Sequence, residues 1–288
     1  MKLVRAGLPG NERWAVIDPQ GGLRGLPVSA FGSQDAPPSC EAVARLADTD
    51  LATLPALPAG ERLGPPVAGC RKIVCVGLNY RAHAEEAGAA APKEPIVFMK
   101  AVSALSGPVD DILMPKGCTK LDWEVELAVV IGRSGRDIDV SAARSHIVGY
   151  TILNDVSERA FQLEGTGQWV KGKSADTFAP LGPWLVTADE VVDPGDLELW
   201  LTVNGEPRQR SSTRHMIFGI DALVSYISRF MSLHPGDIIA TGTPAGVGLG
   251  MDPPTYLRHG DVVELGITGL GRQRQRVIDP LAPSAAAV

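Results

Sequence analysis

The chain has 288 residues, 44% of them hydrophobic and 21% charged, with a formal net charge of −6. This is the composition of an ordinary globular protein, long enough to bury a core without disulfide staples. The acidic balance, with no basic run, argues against a nucleic-acid backbone as partner, and no apolar run approaches the ~18 residues that would span a membrane.

The 32 glycines and 23 prolines favour many turns and short strands over long helices. Cys40, Cys70, Cys75 and Cys118 form no C-x-x-C pair and no zinc spacing, which predicts reduced thiols in a cytoplasmic protein. Met1 to Gly7 lacks the apolar core of a signal peptide.

Residues 1–66 read as a small N-terminal α/β domain. Glu12 to Asp18 is a strand, Pro19-Gln20-Gly21-Gly22 a turn, and Leu23 to Leu26 a short return strand. Ser39 to Leu54 carries a weak helical pattern, and the proline- and glycine-rich stretch from Pro55 to Pro66 marks the boundary. Residues 67–280 form the second domain. Lys72 to Leu78 is a continuous apolar run typical of a buried strand, followed by a helical stretch from Asn79 to Ala87. His83 and Glu86 are neighbours on that helix; they could share a proton and polarise a water, or form a simple surface pair.

Ile96 to Lys100 is another short strand. Leu121 to Ile131, closed by Gly132, is the chain's most informative stretch. As one strand it places Trp123, Val125, Leu127 and Val129 on an apolar face, and Asp122, Glu124 and Glu126 on the other. Carboxylates two positions apart sit roughly 7 Å from each other, and a divalent cation with hard oxygen ligands would relieve their repulsion. The alternative is a solvated acidic face on an outer strand.

Val148 to Asn154 is a buried strand ending at Asp155, whose charge needs a partner; a third metal ligand is one, a helix terminus or solvent another. Ser157 to Leu163 reads as a short helix, with Asp155, Arg159 and Gln162 on one stripe. Trp169 to Pro183 reads as a structured loop. Leu197 to Val203 with Asn204-Gly205 is a type I′ hairpin, and Ile217 to Leu233 the clearest amphipathic helix. Ile238 to Ala240 is a buried strand. The glycine-rich loop after it, Thr241 to Gly250, fits neither a P-loop nor a dinucleotide fingerprint, yet can present N–H groups and hydroxyls to an anion. Val262 to Ile267 closes the domain, and 281–288 reads as a flexible tail.

Five segments in order resemble the fumarylacetoacetate hydrolase family: Gly77-Leu78-Asn79-Tyr80 with His83 and Glu86; Leu121 to Leu127; Asn154-Asp155-Val156-Ser157 with Arg159 and Gln162; Lys171 to Phe178; and Thr241 to Gly248. They span about residues 70 to 278. Ala101 is a departure, since relatives often carry proline after the lysine matching Lys100. The resemblance implies an α+β, mostly β fold, a mixed β-sandwich roll, in a homodimer. It assigns metal binding to Glu124, Glu126 and Asp155, with Mg²⁺ or Mn²⁺ expected and Ca²⁺ acceptable to the same ligands. It gives catalytic roles to His83, Glu86 and Lys173, and substrate contacts to Tyr80, Arg159, Gln162, Gly242 and Thr243. The helix carrying His83 is expected to act as a lid. The implied substrate is a small 2-oxo acid, and the implied reaction is hydrolysis of the C–C bond of a 2,4-diketo acid, with a diketo-deoxy sugar acid as first guess. Oxaloacetate decarboxylation, isomerisation of an unsaturated oxo acid, and a metal-stabilised binding module without turnover are the rivals.

Overall fold

The computed structural model describes residues 1–282. The tail expected at 281–288 lies, from residue 283 onward, outside the described residues. Eleven strands make one mixed sheet and five make a second, with a two-stranded pair beside them. From one edge the large sheet runs Leu23–Gly25, Arg13–Ile17, Lys2–Ala6, Ala179–Thr187, Ile147–Asn154, Val125–Ile131, Ile238–Ala240, Ile73–Gly77, Ile96–Lys100. The α+β, mostly β class expected from the sequence holds. The N-terminal strands extend the same sheet, with Lys2 opposite Val186.

The two central strands, Val125–Ile131 and Ile147–Asn154, are buried at every position, which is why they read as unbroken apolar runs. The five-stranded sheet behaves differently. Along Glu198–Val203 the buried residues alternate, with Leu199, Leu201 and Val203 inward. Its partner Gly271–Ile278 turns Gln273, Gln275 and Val277 inward. The buried amides are satisfied: Gln273 Nε2 donates to the Ile152 carbonyl at 2.8 Å, and Gln275 Nε2 to that of Pro108 at 2.7 Å. The hairpin at Asn204-Gly205 has φ of 53° and 81°, as a type I′ turn requires.

Several local readings are corrected. The strand expected over 121–131 is interrupted at Trp123 and Glu124, leaving Leu121–Asp122 paired with Ser157–Glu158 and Val125–Ile131 in the large sheet. Ser157 and Glu158 therefore belong to a strand, and the helix behind them is Arg159–Leu163. The loop expected over 169–183 is a helix, Trp169–Lys173, followed by the nine-residue strand Ala179–Thr187. Pro180, Gly182 and Pro183 hid that strand. The long helix contracts to Ile220–Ser228, and that of His83 to Arg81–Glu86. The strand Gly271–Ile278 went unread because two of its three inward positions are glutamines. Among the described residues no helix is long and apolar enough to cross a membrane.

Candidate active site

Strand register brings the acidic residues together. Val125 lies opposite Asn154 in the antiparallel pair, so the residues just outside it, Glu124 and Asp155, meet at the sheet end. The Asp155 N–H donates to the Glu124 carbonyl at 2.9 Å and fixes that end. Ile238–Ala240 flanks the same strand, with Ala240 opposite Ala128, and delivers the 241–250 loop to the same place. There Gly242 N–H donates to Glu126 Oε2 at 2.8 Å, and Thr243 Oγ1 to the Val125 carbonyl at 2.9 Å. Ile73–Gly77 runs parallel to Ile238–Ala240, so the helix carrying His83 opens on that end too.

Glu124, Glu126 and Asp155 each offer an oxygen within 4.8 Å of the others. They are 5%, 2% and 0% exposed, which removes the solvated acidic face. Buried carboxylates at this spacing need counter-charge. Lys173 Nζ provides some, 2.9 Å from Glu124 Oε2 and 2.8 Å from Asp155 Oδ2. Lys100, also buried, pairs with Asp155 Oδ1 and donates to the Val156 carbonyl at 3.1 Å. Arg159 bridges Asp122 and Glu124, with Nε 2.8 Å from Asp122 Oδ2 and Nη2 2.7 Å from Glu124 Oε1.

The three ligands are not equivalent. Burial pushes Glu124 up, but Lys173, Arg159 and His83 outweigh it and hold its carboxyl at about 2. Among the described residues, Lys173 and Arg159 pair with Glu124, Asp155 and Asp122, and no lysine or arginine is within ion-pair distance of Glu126. Burial first, then the charges of Asp155 and Glu124, push it well above the carboxylate range. Glu126 is thus the carboxyl whose ionisation the protein leaves uncompensated. An all-oxygen set of converging carboxylates with that deficit fits a hard divalent cation, Mg²⁺, Mn²⁺ or Ca²⁺.

A cavity of about 460 Å³ opens over the cluster and is lined by Glu124, Glu126, Arg159, Gln162, Lys173 and Thr243, with His83 and Glu86 on its wall. His83 Nδ1 lies 3.0 Å from Glu86 Oε2, and Glu86 Oε1 accepts from Gly246 N–H at 2.8 Å. The pair is therefore part of the cavity wall and is tied to the glycine-rich loop. Arg159 Nη1 donates to Gln162 Oε1 at 2.9 Å, while Nη2, close to Glu124, is buried without an aligned hydrogen bond.

Ten of the eleven residues singled out from the sequence contact this cavity or the carboxylate cluster. Gly242 supports Glu126 from behind. Tyr80 is apart: it is buried and does not line the cavity, its hydroxyl has no partner among the described residues, and burial followed by the charge of Glu126 raises its pKa. Sequence reasoning missed Lys100, the anchoring role of Asp122, and the aromatic wall of Phe98 and Trp169. Lys100 left one signal, a lone charge ending an apolar strand. The departure at Ala101 also has a use here, since its N–H donates to Ser174 Oγ at 2.9 Å, next to Lys173, and proline has no N–H to give.

The model of the fumarylacetoacetate (FAA) hydrolase C-terminal domain matches residues 72–278. The chain belongs to the fumarylacetoacetate hydrolase family. Three solved structures of enzymes are similar along nearly the whole chain. A fumarylacetoacetate hydrolase from psychrophilic Exiguobacterium antarcticum is 39% identical, with TM-score 0.85, covering 97% of this chain and 99% of that one. A 5-carboxymethyl-2-hydroxymuconate delta-isomerase from Mycobacterium smegmatis is 36% identical, with TM-score 0.77 and coverage of 97% and 100%. Maleylpyruvate hydrolase from Sphingobium sp. SYK-6, in complex with manganese(II) ion and pyruvate, is 30% identical, with TM-score 0.80 and coverage of 97% and 99%. Hydrolase and isomerase therefore share this fold, and the reaction must be argued from the site.

Proposed function

We propose that the chain is a divalent-cation-dependent hydrolase of a 2,4-diketo acid of the acylpyruvate type, with Glu124, Glu126 and Asp155 as ligands. One observation carries the reading: the His83–Glu86 pair lines the same cavity as the carboxylate cluster. The manganese and pyruvate held by the Sphingobium enzyme support a cation and a pyruvate half for the substrate.

A divalent cation in this cluster supplies Lewis acidity to the 2-oxo carboxylate end of the substrate. The protein's own groups do the rest. With Nδ1 turned to Glu86, His83 has Nε2 left for a water and takes its proton. The oxygen bonds to the acyl carbonyl carbon. The bond from that carbon to the methylene breaks, and its electron pair moves onto the leaving pyruvate enolate. The proton held by His83 goes to the methylene carbon, giving pyruvate and a carboxylic acid. Arg159 Nη2, without an aligned partner, and the Gln162 amide orient substrate oxygens. Lys173 offsets the negative charge that grows as the bond breaks. The helix Arg81–Glu86 closes over bound substrate, which slower amide exchange in that segment on oxo-acid binding would reveal.

The test is turnover by the Mg²⁺-loaded protein of acetylpyruvate, a diketo-deoxy sugar acid, oxaloacetate and an unsaturated oxo acid in heavy-oxygen water. Heavy oxygen in the released carboxylic acid supports hydrolysis. Release of CO₂ without solvent oxygen, or a double-bond shift without cleavage, replaces it with a decarboxylase or an isomerase. Cation binding with silence on every substrate leaves a binding module.

A further inference from the structure

We propose that the acyl half of the substrate is apolar and uncharged, a bulky alkyl or aryl group with neither a second carboxylate nor a row of hydroxyls. This rests on the acylpyruvate reading above and names its substrate class.

Apart from the polar groups already described, the cavity is walled by Val76, Phe98, Leu163, Trp169, Val247 and Leu249. Phe98 and Trp169 form an edge-on aromatic pair, with ring centroids 5.3 Å apart and planes at 71°. The Trp169 ring lies against the backbone of Gly77, where an added Cβ would stand 2.7 Å from it. A side chain at Gly77 would push that ring out of the wall. Leu163, 45% exposed, stands at the mouth.

The basic side chains of the cavity already have carboxylate partners. Among the described lining residues, Arg159 faces Asp122 and Glu124, Lys173 faces Glu124 and Asp155, and His83 faces Glu86. One substrate carboxylate can use Arg159 Nη2 and the divalent cation. A second, at the acyl end, would be buried without a counter-charge. Hydroxyls there would lose water and find no donor or acceptor on the apolar wall. An alkyl or aryl group gains from the same wall, by burial and by contact with the aromatic pair.

The test has a kinetic arm and a binding arm. The Mg²⁺-loaded enzyme is compared on benzoylpyruvate, acetylpyruvate, fumarylpyruvate and a diketo-deoxy sugar acid. The expected kcat/KM for benzoylpyruvate is at least about tenfold above acetylpyruvate and about a hundredfold above the other two. Calorimetry then compares two oxo acids that cannot be cleaved, benzylpyruvate and 2-oxoglutarate, and benzylpyruvate should bind at least about tenfold tighter. Leu163→Arg, a rim substitution that leaves the core intact, should move the fumarylpyruvate-to-benzoylpyruvate ratio up by about tenfold. Cleavage that favours fumarylpyruvate or the sugar acid overturns the inference and leaves the hydrolase reading standing. No cleavage of any diketo acid overturns the hydrolase reading, and the calorimetric order still decides whether the wall selects apolar groups.

Discussion

Lys173 Nζ lies 2.8 Å from Asp155 Oδ2, while Lys100 holds the other oxygen of the same carboxylate. Asp155 is 0% exposed, so two buried ammonium groups depend on one buried acid. Asp155→Ala therefore does more than delete a ligand. It leaves Lys100 with only the Val156 carbonyl and Lys173 with only Glu124 and the Asp155 backbone oxygen. Breaking a buried pair this way costs roughly 3–5 kcal/mol. The expected outcome is loss of bound cation and activity, together with a fall in Tm that persists after chelation. An unchanged Tm in chelated protein would show that the lysines do not need Asp155.

His83 makes the opposite prediction. It reaches the carboxylates only through space, and its hydrogen bond goes to Glu86. His83→Ala should keep the cation and the fold while kcat for hydrolysis drops about 10²–10⁴-fold. Glu86→Gln should be milder for proton transfer, because the Gln carbonyl can still accept from Nδ1–H. Titrating Mg²⁺ into both variants checks the first half, and steady-state kinetics the second. A His83→Ala enzyme with full hydrolytic turnover would falsify the water-activating role.

The raised carboxyl of Glu126 sets a pH dependence. In the cation-free protein its folded pKa lies above the unfolded value of about 4.3, so the native state holds the proton more tightly. Stability is then highest below the unfolded pKa and is lost as pH rises toward the folded one. Cation binding requires the ionised form, so affinity should climb over the same window. The gain in Tm on adding Mg²⁺ is expected to grow as pH rises above the unfolded value of about 4.3. Glu126→Gln should flatten the pH slope of the chelated protein and abolish the gain. A Mg²⁺ gain in the native protein that does not change with pH would sink this account.

The site was legible where chemistry followed chain order and illegible where it depended on register. Glu124 and Glu126 stood out as two acids inside an apolar run, a pattern that also fits a solvated face, and the resemblance to the family made them ligands. Asp155 stood out as a charge ending a buried strand, which a helix terminus or solvent could also partner, and the resemblance joined it to the other two. The break at Trp123 and Glu124 could not be found, since it comes from Leu121–Asp122 leaving the large sheet to pair with Ser157–Glu158. Lys100 reaches Asp155 from the edge strand of a sheet whose order no local pattern encodes. Phe98 and Trp169 meet only because the helix Trp169–Lys173 packs beside that edge, and proline and glycine had marked its surroundings as loop. The fold class, carried by the resemblance, survived these errors, and the apolar runs of Val125–Ile131, Ile147–Asn154 and Ile238–Ala240 marked the buried strands in any order.

Asp122 supplies a prediction about precision. Its carboxylate accepts from Arg159 Nε at 2.8 Å, from Gly248 N–H at 2.7 Å, from Leu249 N–H at 3.0 Å and from Trp123 N–H at 2.8 Å. It thus fixes the arginine and the end of the glycine-rich loop in one setting, without touching the carboxylate cluster. Asp122→Asn keeps the volume but replaces one acceptor oxygen with a donor that faces N–H groups. Arg159 then loses its Asp122 anchor and is held only by Glu124 and Gln162. Small misplacements of an orienting group cost about a hundredfold when a substrate must be held in line for attack. The expected result is a kcat/KM lower by about 10–100-fold with Mg²⁺ affinity nearly unchanged. Asp122→Glu, which keeps the charge on a longer arm, should recover part of the loss. Equal damage in both variants, or parallel loss of Mg²⁺, would mean that Asp122 holds up the cluster itself and has no separate part in aiming Arg159.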